Sequence, residues 1–210
     1  MAAATAGAVA GVKSLGAADV PSLCTEDIMV LKNSLVRPRP DLKPHVAFVP
    51  DYQTMEWHWA REEFMAPMLR RQLAAAGVKP DAKGAMTPDG KRWVIWNRDL
   101  SHRSQLFIIR AVNLSCSSDE DAEVAHLAQL LLAACAEAAA WGLAKVVLWN
   151  PDDLWLRAAR RAAPPPPAAA IRLVDRDTDS ICSLMMHGPL AAGSSPDHVD
   201  WLANEKFAWC

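Results

Sequence analysis

The chain has 210 residues, of which 51% are hydrophobic and 22% charged. That length and balance indicate one globular domain and exclude a disordered chain or a small disulfide-stabilised protein. The net charge of −2 lacks the basic excess typical of a nucleic-acid-binding protein. No uncharged apolar run is long enough to predict a membrane span. The five scattered cysteines form no Cys-x-x-Cys pair, so they predict no zinc site and are typical of a cytoplasmic protein.

The N-terminal segment is rich in alanine and glycine. Residues 1–18 contain one basic residue, Lys13, and it follows the apolar run instead of preceding it. A secretory signal has the opposite order and a more strongly apolar centre. We therefore predict a disordered tail at 1–18 and a folded domain at 19–210.

Helical signals dominate the first third of that domain. Asp19 is a typical N-cap for a helix that ends near Leu35, before two prolines. A short strand is predicted at 45–49. Apolar residues at helical spacing then predict a helix at 54–76, with a kink at Pro67.

The central third alternates between strands and helices. A Pro-Asp-Gly turn predicts a β-hairpin from Gly84–Met86 and Lys91–Asn97. A buried strand at 105–112, a long Ala/Leu-rich helix at 122–141 and a second buried strand at 146–149 follow. This order predicts a right-handed βαβ unit in an α/β fold with a mixed, twisted sheet flanked by helices.

The last third begins with a helix that starts at Asp152 and ends at Arg161. Four prolines and three alanines predict a stiff, exposed linker at 163–170. Strands are predicted at 171–174 and 182–187. The final segment, 199–210, is too rich in tryptophan and phenylalanine to be disordered.

Several segments resemble, in order, motifs of the C-terminal half of fungal lysine N-acetyltransferase-like proteins, which have the GCN5-related N-acetyltransferase (GNAT) fold. They are W-H-W-A-R-E-E-F at 57–64, K-G-A at 83–85 with W-V-I-W at 93–96, E-A-A-A-W-G-L at 137–143 with V-L-W-N-P at 147–151, D-S-I-C-S-L-M at 179–185, and the closing segment 201–210. The resemblance implies a GNAT-like fold and a family that acetylates the side-chain amine of free lysine. Family members are about twice as long, and the half resembling a working acetyltransferase is absent here.

The resemblance also implies where acetyl-CoA binds in the longer family members. They hold its pyrophosphate with a [Q/R]-x-x-G-x-[G/A] loop, whose glycines let backbone amides approach the phosphates. The corresponding segment here, 113–121, has no glycine and contains Asp119, Glu120 and Asp121. We therefore expect no cofactor site in this chain.

Candidate site residues fall in three places. His58 and Glu62 share one helix face, so they are either an acid–base or amine-binding pair, or a surface pair beside a buried Trp57. They lack a third ligand, so we expect no metal.

Two predicted strands end in a Trp-Asn pair, Trp96-Asn97 and Trp149-Asn150. Strand ends in α/β folds border clefts, so these residues either contact an acceptor amine or cover the sheet edge. In the closing segment, Asn204 and Glu205 lie between Trp201 and Trp209; Glu205 could hold a cationic substrate, or the tryptophans could dock a second domain.

Three functions remain open from the sequence. The first is a non-catalytic lobe that shapes the acceptor side of an acetyltransferase and associates with a catalytic half or with itself. The second is an enzyme that acetylates a small amine such as lysine through a non-standard acetyl-CoA site. The third is an amino-acid-binding or interaction module. Neither nucleic acid, membrane nor metal is an expected partner.

Overall fold

A five-stranded sheet with the order β1-β3-β4-β5-β6 forms the centre of the protein. The computed structural model describes residues 9–36, 44–69, 81–101, 103–163, 171–175 and 199–209. The neighbouring strands are antiparallel except for β5 and β6, which are parallel. The five strands are β1 (Lys13–Leu15), β3 (Gly84–Met86), β4 (Arg92–Asp99), β5 (Gln105–Asn113) and β6 (Lys145–Leu148).

Helices cover both faces of this sheet. On one face α3 (Glu120–Ala140) and α4 (Asp153–Ala162) pack on a core that includes Trp96 and Ile108. The other face packs against α1 (Val20–Val36) and α2 (Tyr52–Leu69). Both faces of β4 are therefore buried, as the apolar run at 93–96 in this strand favours.

The helix α3 connects the parallel strands β5 and β6. Its N-cap is Asp119, whose Oδ1 accepts a hydrogen bond from the Ala122 amide at 3.0 Å. The acidic first turn is stabilised by the positive end of the helix dipole. The helix is long and apolar enough to cross a membrane by length and composition, a test that core helices also meet, and half of its most apolar stretch is buried.

A second, two-stranded sheet joins the closing segment to an early part of the chain. β2 (His45–Ala47) pairs in parallel with β7 (Asp200–Leu202). Phe48, which follows β2, contacts the rings of Trp201 and Trp209 at centroid distances of 6.3 and 5.2 Å. The closing segment, called the tail below, is ordered, as predicted, because its tryptophans pack on this chain.

The fold class, the hairpin and the βαβ unit are confirmed. The prediction of disorder at 1–18 is wrong for Lys13–Leu15, which pairs with Gly84–Met86. The pairing forms because Leu15 is a buried apolar side chain in an Ala/Gly-rich segment. The helix α2 continues past Pro67 without interruption in its described part.

The predicted strand at 171–174 is also wrong. These residues are exposed and have no strand partner among the described residues, and a strand needs a ladder partner for its backbone groups. Residues 164–170 of the predicted linker at 163–170 and the predicted strand at 182–187 lie outside the described residues.

Candidate functional site

The parallel strands β5 and β6 are paired only along the first half of β5 and separate after it. Their register runs from Gln105↔Lys145 to Ile108↔Leu148, after which β5 continues without β6. On the other side of β5 the register with β4 skips one residue, Ile109. An extra residue of this kind is a β-bulge, which bends the strand. The bend coincides with the point at which β6 leaves the sheet.

The parting leaves backbone groups of β5 without a strand partner. Leu114 donates its amide to the Lys91 carbonyl at 2.9 Å, on the β4 side. Amides alternate between the two edges of a strand, so the amide of Ala111 faces the side that β6 has left. An unpaired amide here is a potential binding group for an extended ligand.

The closing segment occupies this opening. The Oε2 of Glu205 accepts the Ala111 amide at 2.7 Å, and its other oxygen pairs with Arg110. Asn150, which follows β6, donates its side-chain amide to the Asn204 carbonyl. Residues 204 and 205 therefore bind β5 and the turn that follows β6, and they leave no free amide at Ala111.

Lys206 completes the closure. Its Nζ lies 5.0 Å from the ring centroid of Trp149 and 5.3 Å from that of Phe107, and it donates to the Trp209 carbonyl at 2.6 Å. These are cation–π distances. The Trp149 ring therefore packs against the tail.

Arg110 links the closing segment to α1. It makes two hydrogen bonds with the Asp27 carboxylate, at 2.6 and 2.8 Å, and pairs with Glu205 on its other side. Two carboxylates therefore share one guanidinium, and burial raises the pKa of Glu205. This internal pairing occupies the carboxylate that the sequence offers to a cationic substrate.

His58 is buried beneath the same segment. Its Nε2 lies 2.9 Å from the Phe207 carbonyl oxygen, so Nε2 carries the hydrogen. Burial lowers the pKa of His58, and the positive charges of Lys206 and Arg61 lower it further. The ring therefore acts as a neutral donor that holds the tail.

The His58 contact predicts an acid-sensitive fold. Because the folded-state pKa lies below the ordinary value of 6.5, the unfolded chain binds the proton more readily as the pH falls. The free energy of unfolding should decrease below about pH 6.5, by at most about 1.4 kcal/mol per pH unit from this group. Urea denaturation at several pH values between about 7.5 and about 5, a range that spans the ordinary histidine pKa, measures this decrease in the free energy of unfolding. His58→Gln keeps a donor that cannot titrate, and an unchanged slope in this variant would contradict the assignment.

Glu62 belongs to a different buried network. It accepts hydrogen bonds from the backbone amide and Nη1 of Arg98, both at 2.8 Å. The other Nη of Arg98 donates to the Ala82 carbonyl at 2.8 Å and pairs with Glu137 on α3. His58 and Glu62 share a face but bind different partners. Trp57, expected to be buried beside them, is instead 46% exposed, because α2 turns Trp59 towards the sheet.

Three other predicted site residues also have internal partners. Trp96 is buried under α3 and donates its Nε1 to the Ala82 carbonyl at 3.1 Å, so it lines no cleft. Asn150 has a left-handed backbone (φ 48°), as a turn after β6 requires. The Oδ1 of Asn204 accepts Trp209 Nε1 at 3.1 Å.

Two cavities flank the tail. One of about 250 Å³ lies between α2, the β4–β5 turn and Lys206, and Trp149 forms part of its wall. A wider cleft of about 440 Å³ lies beside Phe48, Trp57 and Trp209. His58 contributes to both. Of the predicted site residues, His58, Glu62, Asn97 and Trp149 line one or both of these cavities.

Sequence reasoning missed the arginines that organise this region, Arg92, Arg98 and Arg110. Arg110 interrupts the apolar run of β5, and Arg92 and Arg98 flank that of β4. A charge beside or within a buried strand is the signal that could have found them, since a buried charge needs a partner. Within the described residues, no group of three or more His, Cys, Asp or Glu side chains could hold a metal.

Three backbone amides of the loop between β5 and α3 donate to side chains of the loop itself. Asn113 Oδ1 accepts the Ser115 amide at 3.0 Å, Ser115 Oγ accepts that of Ser117 at 3.2 Å, and Ser117 Oγ accepts that of Asp119 at 3.1 Å. Asp119 in turn caps α3. A phosphate at this loop would have to displace these acceptors.

Three acidic side chains around the loop are paired with arginines. Glu123 lies beneath it, paired with Arg92, which lowers the pKa of that carboxyl to about 2. Arg157 pairs with Glu120 and Asp121. The two nearby guanidinium groups therefore already have carboxylate partners.

The comparison with known families gives one match. The family model described as the LYC1 GNAT-like C-terminal domain matches residues 2–210. No curated protein and no solved structure matches the chain significantly.

Proposed function

Because the chain belongs to the LYC1 GNAT-like C-terminal domain family, we propose that it is a non-catalytic lobe that shapes the acceptor side of a lysine N-acetyltransferase-like protein. The observation that carries the proposal is that the chain's own groups occupy the opening between β5 and β6. Glu205 accepts the Ala111 amide. Asn204 and Lys206 contact Asn150 and Trp149, the two residues that follow β6.

The β5–α3 loop supports the same proposal. Three of its amides donate to the side chains of Asn113, Ser115 and Ser117 within the loop. Its three consecutive carboxylates at 119–121 would repel a pyrophosphate. A coenzyme A site needs free backbone amides and no carboxylates facing the pyrophosphate. A chain that offers neither needs a catalytic half to take part in acetyl transfer.

The proposal predicts that the protein does not bind acetyl-CoA. Calorimetric titration of the chain should give no saturable heat, and the same sample should unfold cooperatively, which shows that the missing signal does not reflect unfolded protein. A dissociation constant at or below about 100 μM, roughly −5.5 kcal/mol, would contradict the proposal. Such binding would favour the alternative, an enzyme with a non-standard acetyl-CoA site.

The helix α2 provides a surface on which a catalytic half or a second copy could dock. Trp57, Phe64 and Met68 are 46%, 67% and 60% exposed, and their spacing places them on one face. Trp57 also lies beside Phe48 and Val49, which are themselves exposed. Adjacent exposed apolar side chains of this size are typical of interaction surfaces. The α2 face is thus a stronger docking candidate than the tail tryptophans, which pack on this chain.

The association predicted from the α2 face is measurable by sedimentation. The protein should self-associate at high micromolar concentration or bind an added catalytic half. Phe64→Glu should weaken that association by about 2 kcal/mol or more, because it places a charge in the apolar face. Met29→Glu, an exposed apolar position on α1, is the matched control and should have little effect. A strict monomer that gains no partner would rule out the docking role.

A further inference from the structure

The cavity of about 250 Å³ has an excess of positive charge. Arg61, Arg98, Arg103 and Lys206 line it, against two acids, Glu62 and Asp99. Both acids have internal partners, and so does Arg98, which Glu62 and Glu137 share, so the excess comes from Arg61, Arg103 and Lys206 against Asp99. Glu62 is paired with Arg98, and Asp99 accepts the Ser101 amide at 3.0 Å and the Gln105 side-chain amide at 3.3 Å.

Asn97 provides a second, independent feature of this cavity. The residue is only 6% exposed and lies in the cavity wall. Its Oδ1 is buried and has no hydrogen-bond partner among the described residues. Leaving a buried carbonyl oxygen unpaired is costly, so such atoms normally receive a hydrogen bond from the protein, water or a ligand.

We propose that this cavity binds a small organic anion, a carboxylate that carries a hydrogen-bond donor on the adjacent carbon. The carboxylate would lie towards Arg61 and Arg103, and the donor would bond to Asn97 Oδ1. Phe107 and Trp149 offer apolar walls for the carbon skeleton. A free alkylammonium group is disfavoured here, because the excess positive charge would repel it.

The proposal goes beyond the non-catalytic role and does not depend on it. The cavity lies between α2 and the β4–β5 turn, whereas the argument against acetyl-CoA rests on the β5–α3 loop and on the Ala111 amide. A protein that binds acetyl-CoA but also binds the anion would overturn the proposed function alone. One that binds neither would overturn the anion site alone.

Calorimetric titration with four probes tests the chemistry at constant ionic strength. L-lactate has both the carboxylate and the donor, propionate lacks the donor, L-lactamide lacks the charge, and 1,4-diaminobutane is a dication. Lactate should bind with a dissociation constant at or below about 10 mM. Propionate should bind about threefold to tenfold more weakly, as expected for one lost hydrogen bond.

Two variants test the residues. Asn97→Leu should abolish the preference for lactate over propionate without lowering the unfolding midpoint, because it removes an unpartnered oxygen. Arg103→Gln, at an exposed position, should weaken both anions by about threefold or more. Should Asn97→Leu fail to fold, Asn97→Asp keeps the side-chain size and should weaken lactate by about tenfold through charge repulsion.

Several outcomes would overturn the anion site. They are an absence of lactate binding at that affinity, binding of lactamide or diaminobutane as tight as that of lactate, and a lactate preference that survives in folded Asn97→Leu.

Discussion

Replacing Arg98 with methionine should lower the free energy of unfolding by about 3–5 kcal/mol, because it leaves buried carboxylates without their cation. Arg98 pairs with Glu62 of α2 and with Glu137 of α3, and its side chain is fully buried. The same guanidinium lies 4.8 Å from the ring centroid of Trp141. The loss therefore affects the packing of a helix on each face of the sheet.

Urea denaturation at pH 7 measures this effect, with Arg103→Met as the matched control. Arg103 is exposed, so the same substitution there should change stability by no more than about 0.5 kcal/mol. Glu62→Gln separates two interpretations of Glu62. A residue that only contacts substrate would leave the unfolding midpoint unchanged, whereas the Arg98 pairing predicts a lower midpoint. Equal midpoints for Arg98→Met and Arg103→Met would show that the network is not structural.

The fold was largely predictable from the sequence because its signals are local. The Pro-Asp-Gly turn determines the hairpin of β3 and β4. The Ala/Leu composition and acidic N-terminus determine α3. The edge strand at Lys13–Leu15 was missed because three residues carry little pattern, and its partner lies some 70 positions later.

The roles of the polar candidates were not predictable, because their partners are distant in sequence. Glu62 and Arg98 are 36 positions apart, and Glu205 and Arg110 are 95 apart. A carboxylate in a helix or a tail therefore shows no cation beside it in the sequence, and a structural ion pair resembles a substrate-binding group. Such pairs are as compatible with a structural role as with a catalytic one.

The tryptophans show a related limit of prediction from sequence. Trp57 and Trp59 both fit an apolar helix face, but only Trp59 reaches the core, where its Nε1 donates to the Trp96 carbonyl at 2.9 Å. The position of the neighbouring sheet, which the helix sequence does not encode, decides which of the two is buried. The exposed docking candidate thus lies on α2 and not in the tail.

The tail itself offers the second large effect. Arg110→Met should cost about 3–5 kcal/mol, because Asp27 and Glu205 would both lose their cation. It should also release the tail from β5, so hydrogen exchange at the Ala111 amide should accelerate. Unfolding in urea and exchange measured by NMR follow the two consequences separately.

Two substitutions of Glu205 separate charge from hydrogen bonding. Glu205→Gln keeps an acceptor for the Ala111 amide and leaves Arg110 paired with Asp27 alone, so it should cost no more than about 1 kcal/mol. Glu205→Ala leaves the Ala111 amide without its acceptor and should cost about 1–3 kcal/mol. If both variants exchange Ala111 as slowly as the unmodified protein, the tail does not close the opening between β5 and β6. In that event the parted strands would be free to take an extended ligand, and the argument for a non-catalytic lobe would rest on the β5–α3 loop alone.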